Sequence, residues 1–132
     1  MPLRRDVADR RYFTVTEADA LLPRLTTLLD QLRAARKAIR AARADLLPVL
    51  EAAVGNGGSR KAGDLLPEFR RMEEALLAIQ EIGCELKDID LGLLDFPALR
   101  ENHEVNLCWR YGEDRIRYWH GMDEGFAGRQ PL

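Results

Sequence analysis

Residues 21–50 read LLPRLTTLLDQLRAARKAIRAARADLLPVL, and the spacing of the apolar positions in that stretch decides the architecture. Leu21, Leu25, Leu28, Leu32, Ala35, Ile39, Ala42, Leu46 and Val49 recur in alternating steps of four and three, the seam of a helix that packs along a partner helix. The helix begins upstream, where Thr14 can cap the first orphan amides and Glu17, three residues on, can reach back to the cap. Phe13 and Ala18 stand where a hydrophobic staple closes. The breaker cluster Val54-Gly55-Asn56-Gly57-Gly58-Ser59 stops it. Pro23 and Pro48 each remove an internal hydrogen bond, which predicts local bends.

Past the breaker, Asp64 is placed to cap a second helix and Pro67 falls in its first turn, where a missing N–H costs nothing. Its apolar series is Leu65, Phe69, Met72, Leu76, Ile79, Gly83 and Leu86. Folding this helix back about Gly57 pairs Val49 with Leu65, Leu46 with Phe69, Ala42 with Met72, Ile39 with Leu76, Ala35 with Ile79, Leu32 with Gly83 and Leu28 with Leu86. Small residues face large ones at three of these layers, as close packing requires. The basic stripe Arg33, Arg36, Lys37, Arg40 and Arg43 is then set beside Glu73, Glu74 and Glu81. Flanking ion pairs within the hairpin therefore explain the stripe better than a nucleic-acid surface does.

After Leu86 the pattern alternates. Residues 88–97 predict a turn leading into a short edge strand that Pro97 ends. Val105, Leu107, Trp109 and Tyr111 fall on one face of the next strand, and Asn106, Cys108 and Arg110 on the other. With Gly112-Glu113-Asp114-Arg115 as a four-residue turn, Trp109 meets Tyr118, Leu107 meets His120 and Cys108 meets Trp119. This register sets Cys108 and His120 on opposite faces, which argues against a metal or nucleophile–base pair between them. Zinc also wants more ligands than the tail assembles on that reading.

The expected fold is α+β and mainly α: a long antiparallel helical, coiled-coil hairpin followed by a small antiparallel β-hairpin or meander docked at the hairpin base. The expected divisions of one domain, 1–132, are helix 1 at 14–54, tip loop at 55–63, helix 2 at 64–87, β-meander at 91–120 and glycine-rich tail at 121–132.

Composition narrows the function classes. A net charge of −2 over 132 residues, with 32% charged side chains of both signs, gives no global drive toward nucleic acid or anionic lipid. The sequence contains neither a secretory leader pattern nor a membrane span. Two cysteines in different elements, Cys84 and Cys108, read as free thiols of a reducing cytoplasm. Residues 55–61 are glycine-rich but join two helices, so they do not meet the structural test for a phosphate-cradling loop. No cofactor, resident metal or catalytic residue is assigned.

Several stretches carry a family likeness: Phe13-Thr14, Glu17-Ala18-Asp19-Ala20-Leu21-Leu22-Pro23, Glu85-Leu86-Lys87-Asp88, Leu94-Asp95-Phe96-Pro97-Ala98, Leu107-Cys108-Trp109-Arg110, and Trp119-His120 with Gly125-Phe126-Ala127-Gly128-Arg129. In combination they resemble the bacterial and archaeal domain-of-unknown-function family numbered 2203, from Phe13 onward. The resemblance implies a small stand-alone protein and carries over no catalytic residue.

The candidate ligand or partner site is His120, Asp123, Glu124 and Arg129, with Trp119, Arg110 and Arg117 on the strand face turned from the core. A histidine beside carboxylates suits a general base or a metal ligand; alternatively His120 closes the apolar face against Leu107. A tryptophan flanked by two arginines suits an anion, a base or a partner surface, or lies under the tail with the arginines paired to Asp95 or Glu104. The residues favour a non-enzymatic protein-interaction or scaffolding module; the alternative is a small-molecule- or metal-binding domain, with or without catalysis, centred on His120 beside the β-hairpin. Apolar residues off the seam, Leu22, Leu29, Leu77 and Cys84 at the base and Leu47, Leu50 and Leu66 at the tip, point to a homodimer. Other expected partners are an unidentified protein, with nucleic acid disfavoured and no membrane.

Overall fold

The computed structural model describes residues 11–52, 63 and 65–132, with side chains from 11–43, 63 and 65–132. Among the described residues, the helices α1 (Val15–Ala52) and α2 (Leu66–Ile82) precede an antiparallel sheet of β1 (Glu85–Asp88), β2 (Leu93–Arg100), β3 (His103–Arg110), β4 (Tyr118–Gly121) and β5 (Gln130–Pro131), in that spatial order. The α+β class is as expected; the sheet, with five strands rather than a small hairpin or meander, is larger.

The start of α1 forms as its residues dictate. Thr14 N–H donates to Glu17 Oε1 (3.0 Å) and Glu17 N–H to Thr14 Oγ1 (3.1 Å), a reciprocal capping box, with Phe13 and Ala18 both buried beside it. Helical backbone runs through both Pro23 and Pro48. Arg11 donates to Ile82 O, so the beginning of α1 lies beside the end of α2.

The seam differs from the heptad expectation. On α2 the buried positions are Ala75, Ile79 and Ile82, whereas Phe69 and Leu76 are 51% and 39% exposed. Gly83 packs no layer: with φ 101° it adopts the left-handed conformation that ends the helix. Leu86 then belongs to β1, not to helix 2. On α1, Leu22 and Leu29 are buried with Leu25 and Leu32, because the first half of α1 also covers the sheet. Asp19 accepts from Ile116 N–H at 2.6 Å and Asp30 from Tyr111 O–H at 2.5 Å, which fixes that contact. Each fully buried leucine contributes about 1.5–3 kcal/mol, and serving two surfaces is what widens the apolar stripe. The basic stripe is also paired differently: Arg36 and Arg40 approach Asp90 at 2.7 and 3.7 Å, and Arg33 donates to Asp90 O. Asp64, the tip loop and the side chains of Leu46, Leu47, Val49 and Leu50 lie outside the described residues.

Strand β2 is not a short edge that Pro97 ends; it runs through Pro97 between β1 and β3. The proline is tolerated because β1 reaches only as far as Asp95, so β2 is an edge again beyond that point. Pro97 O instead accepts the N–H of Phe13 at 2.8 Å. Glu101 and Asn102 turn β2 into β3, both at positive φ (52° and 64°), as a two-residue hairpin of right twist demands. Gly92, at φ 66°, lets Tyr111 pass so closely that a Cβ there would overlap the Tyr111 side chain.

The β3–β4 register is one residue away from the sequence expectation. Asn106 pairs with His120, Leu107 with Trp119 and Cys108 with Tyr118. Residues 111–117 form a seven-residue loop rather than a four-residue turn. Glu113 holds its base by accepting from Arg110 N–H (2.6 Å) through its carboxylate and from Trp109 Nε1 (2.9 Å) through its carbonyl. Ile116 is drawn out of the ladder to Asp19 and into the core. A one-residue slip moves every β4 side chain to the other face. Trp119 therefore joins Leu107 on the helix side, and His120 joins Cys108 on the opposite side.

Candidate metal centre

The two faces of the sheet are chemically unlike. Leu94, Phe96, Ala98, Val105, Leu107 and Trp109 point into the core beneath the helices. The other face carries Asp95 on β2, Asn106 and Cys108 on β3, and His120 on β4, all buried. Asp95 and Cys108 are cross-strand partners, as are Asn106 and His120. Asp95 and His120 reach toward each other from the strands flanking β3, so their side chains meet above it.

There Asp95, Cys108 and His120 bring a carboxylate oxygen, a thiol sulfur and a ring nitrogen within 4.8 Å of one another. His120 Nε2 lies 2.9 Å from Asp95 Oδ1, and His120 Nδ1 lies 2.8 Å from Gly121 O. The Gly121 carbonyl can only accept, so Nδ1 carries a proton and donates it. A second proton must then lie between Nε2 and Oδ1, whichever atom holds it. Burial pushes the Cys108 thiol up to about 11, and the Asp95 charge adds to the shift. Cys84, buried elsewhere in the core, is pushed up to about 12 for the same leading reason.

A cavity of about 180 Å³ opens onto this cluster, walled by Lys87, Met122, Glu124 and Phe126 among others. Residues 122–129 cross the face, and β5 then pairs with β4 at Tyr118 and Trp119. Arg129 anchors that crossing. Its guanidinium stacks on Tyr118 (4.1 Å) and Phe126 (4.6 Å), donates to Cys108 O, and pairs with Glu113 at 2.5 Å.

The chain belongs to the uncharacterised conserved protein family DUF2203. That family's model matches residues 11–132. No curated protein and no solved structure matches the chain. In this DUF2203 chain the sequence-derived candidates separate into three groups. His120 and Glu124 share the cavity, and Arg129 secures the segment above it. Trp119 is on the other face, half-buried, with Arg100 rather than Arg110 or Arg117 stacked on it at 4.8 Å. Arg117 pairs with Asp114 at 2.9 Å, Arg110 approaches Phe126, and Asp123 is exposed. The sequence reading missed Asp95 as a site residue and separated Cys108 from His120. The clue was a lone acid inside the apolar run Leu93-Leu94-Asp95-Phe96, a buried carboxylate that needs a partner.

Proposed function

We propose that this protein is a metal-binding domain centred on Asp95, Cys108 and His120, with zinc as the ion its donors suit. The carrying observation is that three ligand atoms of different type lie within 4.8 Å of one another at the floor of a cavity. Imidazole nitrogen, thiolate and carboxylate together match a borderline ion such as Zn²⁺. The His120 Nδ1–H bond to Gly121 O supports the reading, because a ligating histidine is commonly oriented by a carbonyl at its other nitrogen. Proton bookkeeping follows from the same contacts. Binding at Sγ, Oδ1 and Nε2 displaces the Cys108 thiol proton and the one shared by Asp95 and His120, two in all. Zn²⁺ with one thiolate, one carboxylate and neutral imidazole is a neutral cluster, which suits burial. Equilibrium dialysis against zinc is expected to give one ion per chain, lost on Cys108→Ser and on His120→Ala. A chain that takes up no zinc contradicts the assignment.

A second reading, self-association, draws on a separate observation. Leu66, Phe69, Leu76 and Leu77 of α2 are 54%, 51%, 39% and 49% exposed and share one helical face, interrupted by Glu73. We propose that a second copy covers this face in a two-fold dimer, with the helices continuing as an antiparallel coiled-coil hairpin toward the tip. Sedimentation that reads a 15.0 kDa monomer at micromolar concentration would remove the dimer.

A further inference from the structure

Resting on the metal assignment, we infer that the centre keeps one open coordination position and that Asn106 selects what fills it, a small monocarboxylate. The carrying observation is separate from the three donors. Asn106 is 7% exposed, and no hydrogen bond among the described residues reaches its carboxamide. It lines the same cavity as Asp95, Cys108 and His120. A buried carboxamide, with two N–H donors and an oxygen acceptor, calls for a partner. The cavity is the space left for one.

The position of Asn106 on β3 places it beside the centre. It is the cross-strand partner of His120, and Cys108 lies two residues further along the same face. Side chains paired in this way have Cβ atoms about 4.5–5.5 Å apart, so the carboxamide borders the imidazole. Three donors converge among the described residues, and a four-coordinate ion held by them keeps one position for a ligand from the cavity. A carboxylate meets both demands at once, with one oxygen on the ion and the other accepting an N–H of Asn106. The three protein ligands neutralise a divalent ion, so the bound acid adds one negative charge. Lys87 brings a positive charge to the same wall, where Glu85 also holds it at 2.9 Å. The Glu124 carboxylate stands apart, beside Gly121 and Gly128. Leu93, Met122 and Phe126 make the rest of the wall apolar, and about 180 Å³ admits a short-chain acid.

Cobalt(II) is the metal probe, since its visible spectrum responds to a change of ligand, and acetate is the acid. Titrating acetate into cobalt-loaded protein at constant ionic strength is expected to give a saturable spectral change, and neutral acetamide a much weaker one. Asn106→Leu keeps the volume and removes the carboxamide. It is expected to fold and to bind cobalt as wild type does, but to bind acetate at least about tenfold more weakly, the size of a lost hydrogen bond to a charged group. Equal acetate binding in wild type and Asn106→Leu would overturn the role of Asn106. Loss of cobalt in folded Asn106→Leu would overturn it too, by making Asn106 a support of the metal. Acetamide binding as tightly as acetate would overturn the anionic class of ligand. A cobalt-loaded wild type indifferent to acetate would overturn the whole inference while leaving the three-residue centre standing. Wild-type protein that binds no cobalt would overturn this inference and the metal assignment together.

Discussion

The two faces of the sheet are buried to the same depth and for opposite reasons. Phe96 on the helix side is 0% exposed, and Cys108 and His120 on the tail side are 1% exposed each. Burying Phe96 is favourable in itself, because apolar area leaves water. Burying Asp95 and His120 is costly unless each polar atom finds a partner. The helix face accounts for stability, whereas the tail face buries polar groups that stability alone would not select. A buried polar cluster under the segment 122–129 is thus the more informative half of the molecule.

The contrast can be broken from either side. Phe96→Ala is the largest expected loss of stability, about 3–5 kcal/mol by denaturant unfolding, with zinc stoichiometry unchanged in the folded protein. His120→Ala should show the reverse balance. It removes zinc binding but costs about 1–3 kcal/mol, the penalty for leaving the buried Asp95 without its His120 partner. If His120→Ala proves as destabilising as Phe96→Ala while zinc still binds, the two faces do the same job. Away from both, Thr14→Ala should cost about 1 kcal/mol through loss of the capping box.

The thiols sharpen the comparison through pH. Both are raised above the usual value near 9, to about 12 for Cys84 and about 11 for Cys108. The unfolded chain therefore ionises first. The stabilising contribution is complete below pH 9 and is lost as pH climbs through 11 and 12. Thermal melting across that window should fall with pH, and Cys84→Val should flatten the fall. Alkylation at neutral pH should be slow at both positions, and zinc should slow it further at Cys108 alone. Equal protection of both thiols by zinc would mean that the ion is not held by Cys108.

Much of the fold was legible in the residues because its signals are local. The Thr14–Glu17 capping box, the apolar series of α1 and the alternation of residues 104–110 each depend on neighbours a few positions apart. What escaped depends on distant tethers. The β3–β4 register is set by Asp19, nearly a hundred positions away, holding Ile116 N–H, and by Glu113 folding the loop under Trp109. Counting a four-residue turn at Gly112–Arg115 gave the wrong parity, and parity alone put Cys108 and His120 on opposite faces. Similarly, the heptad count carried helix 2 through Gly83 because a glycine in the left-handed region looks, by spacing, like a small seam residue. His120 and Glu124 were legible as candidates by composition. Asp95 and Cys108 became partners of His120 only once the register was known.

The most direct test of the metal centre is calorimetric titration of the chain with zinc in several buffers of different ionisation enthalpy. The account predicts one ion per chain and release of close to two protons, one from Cys108 and one from the Asp95–His120 pair, with the release abolished along with binding in Cys108→Ser. Binding without proton release, or undiminished binding in Cys108→Ser, would contradict it.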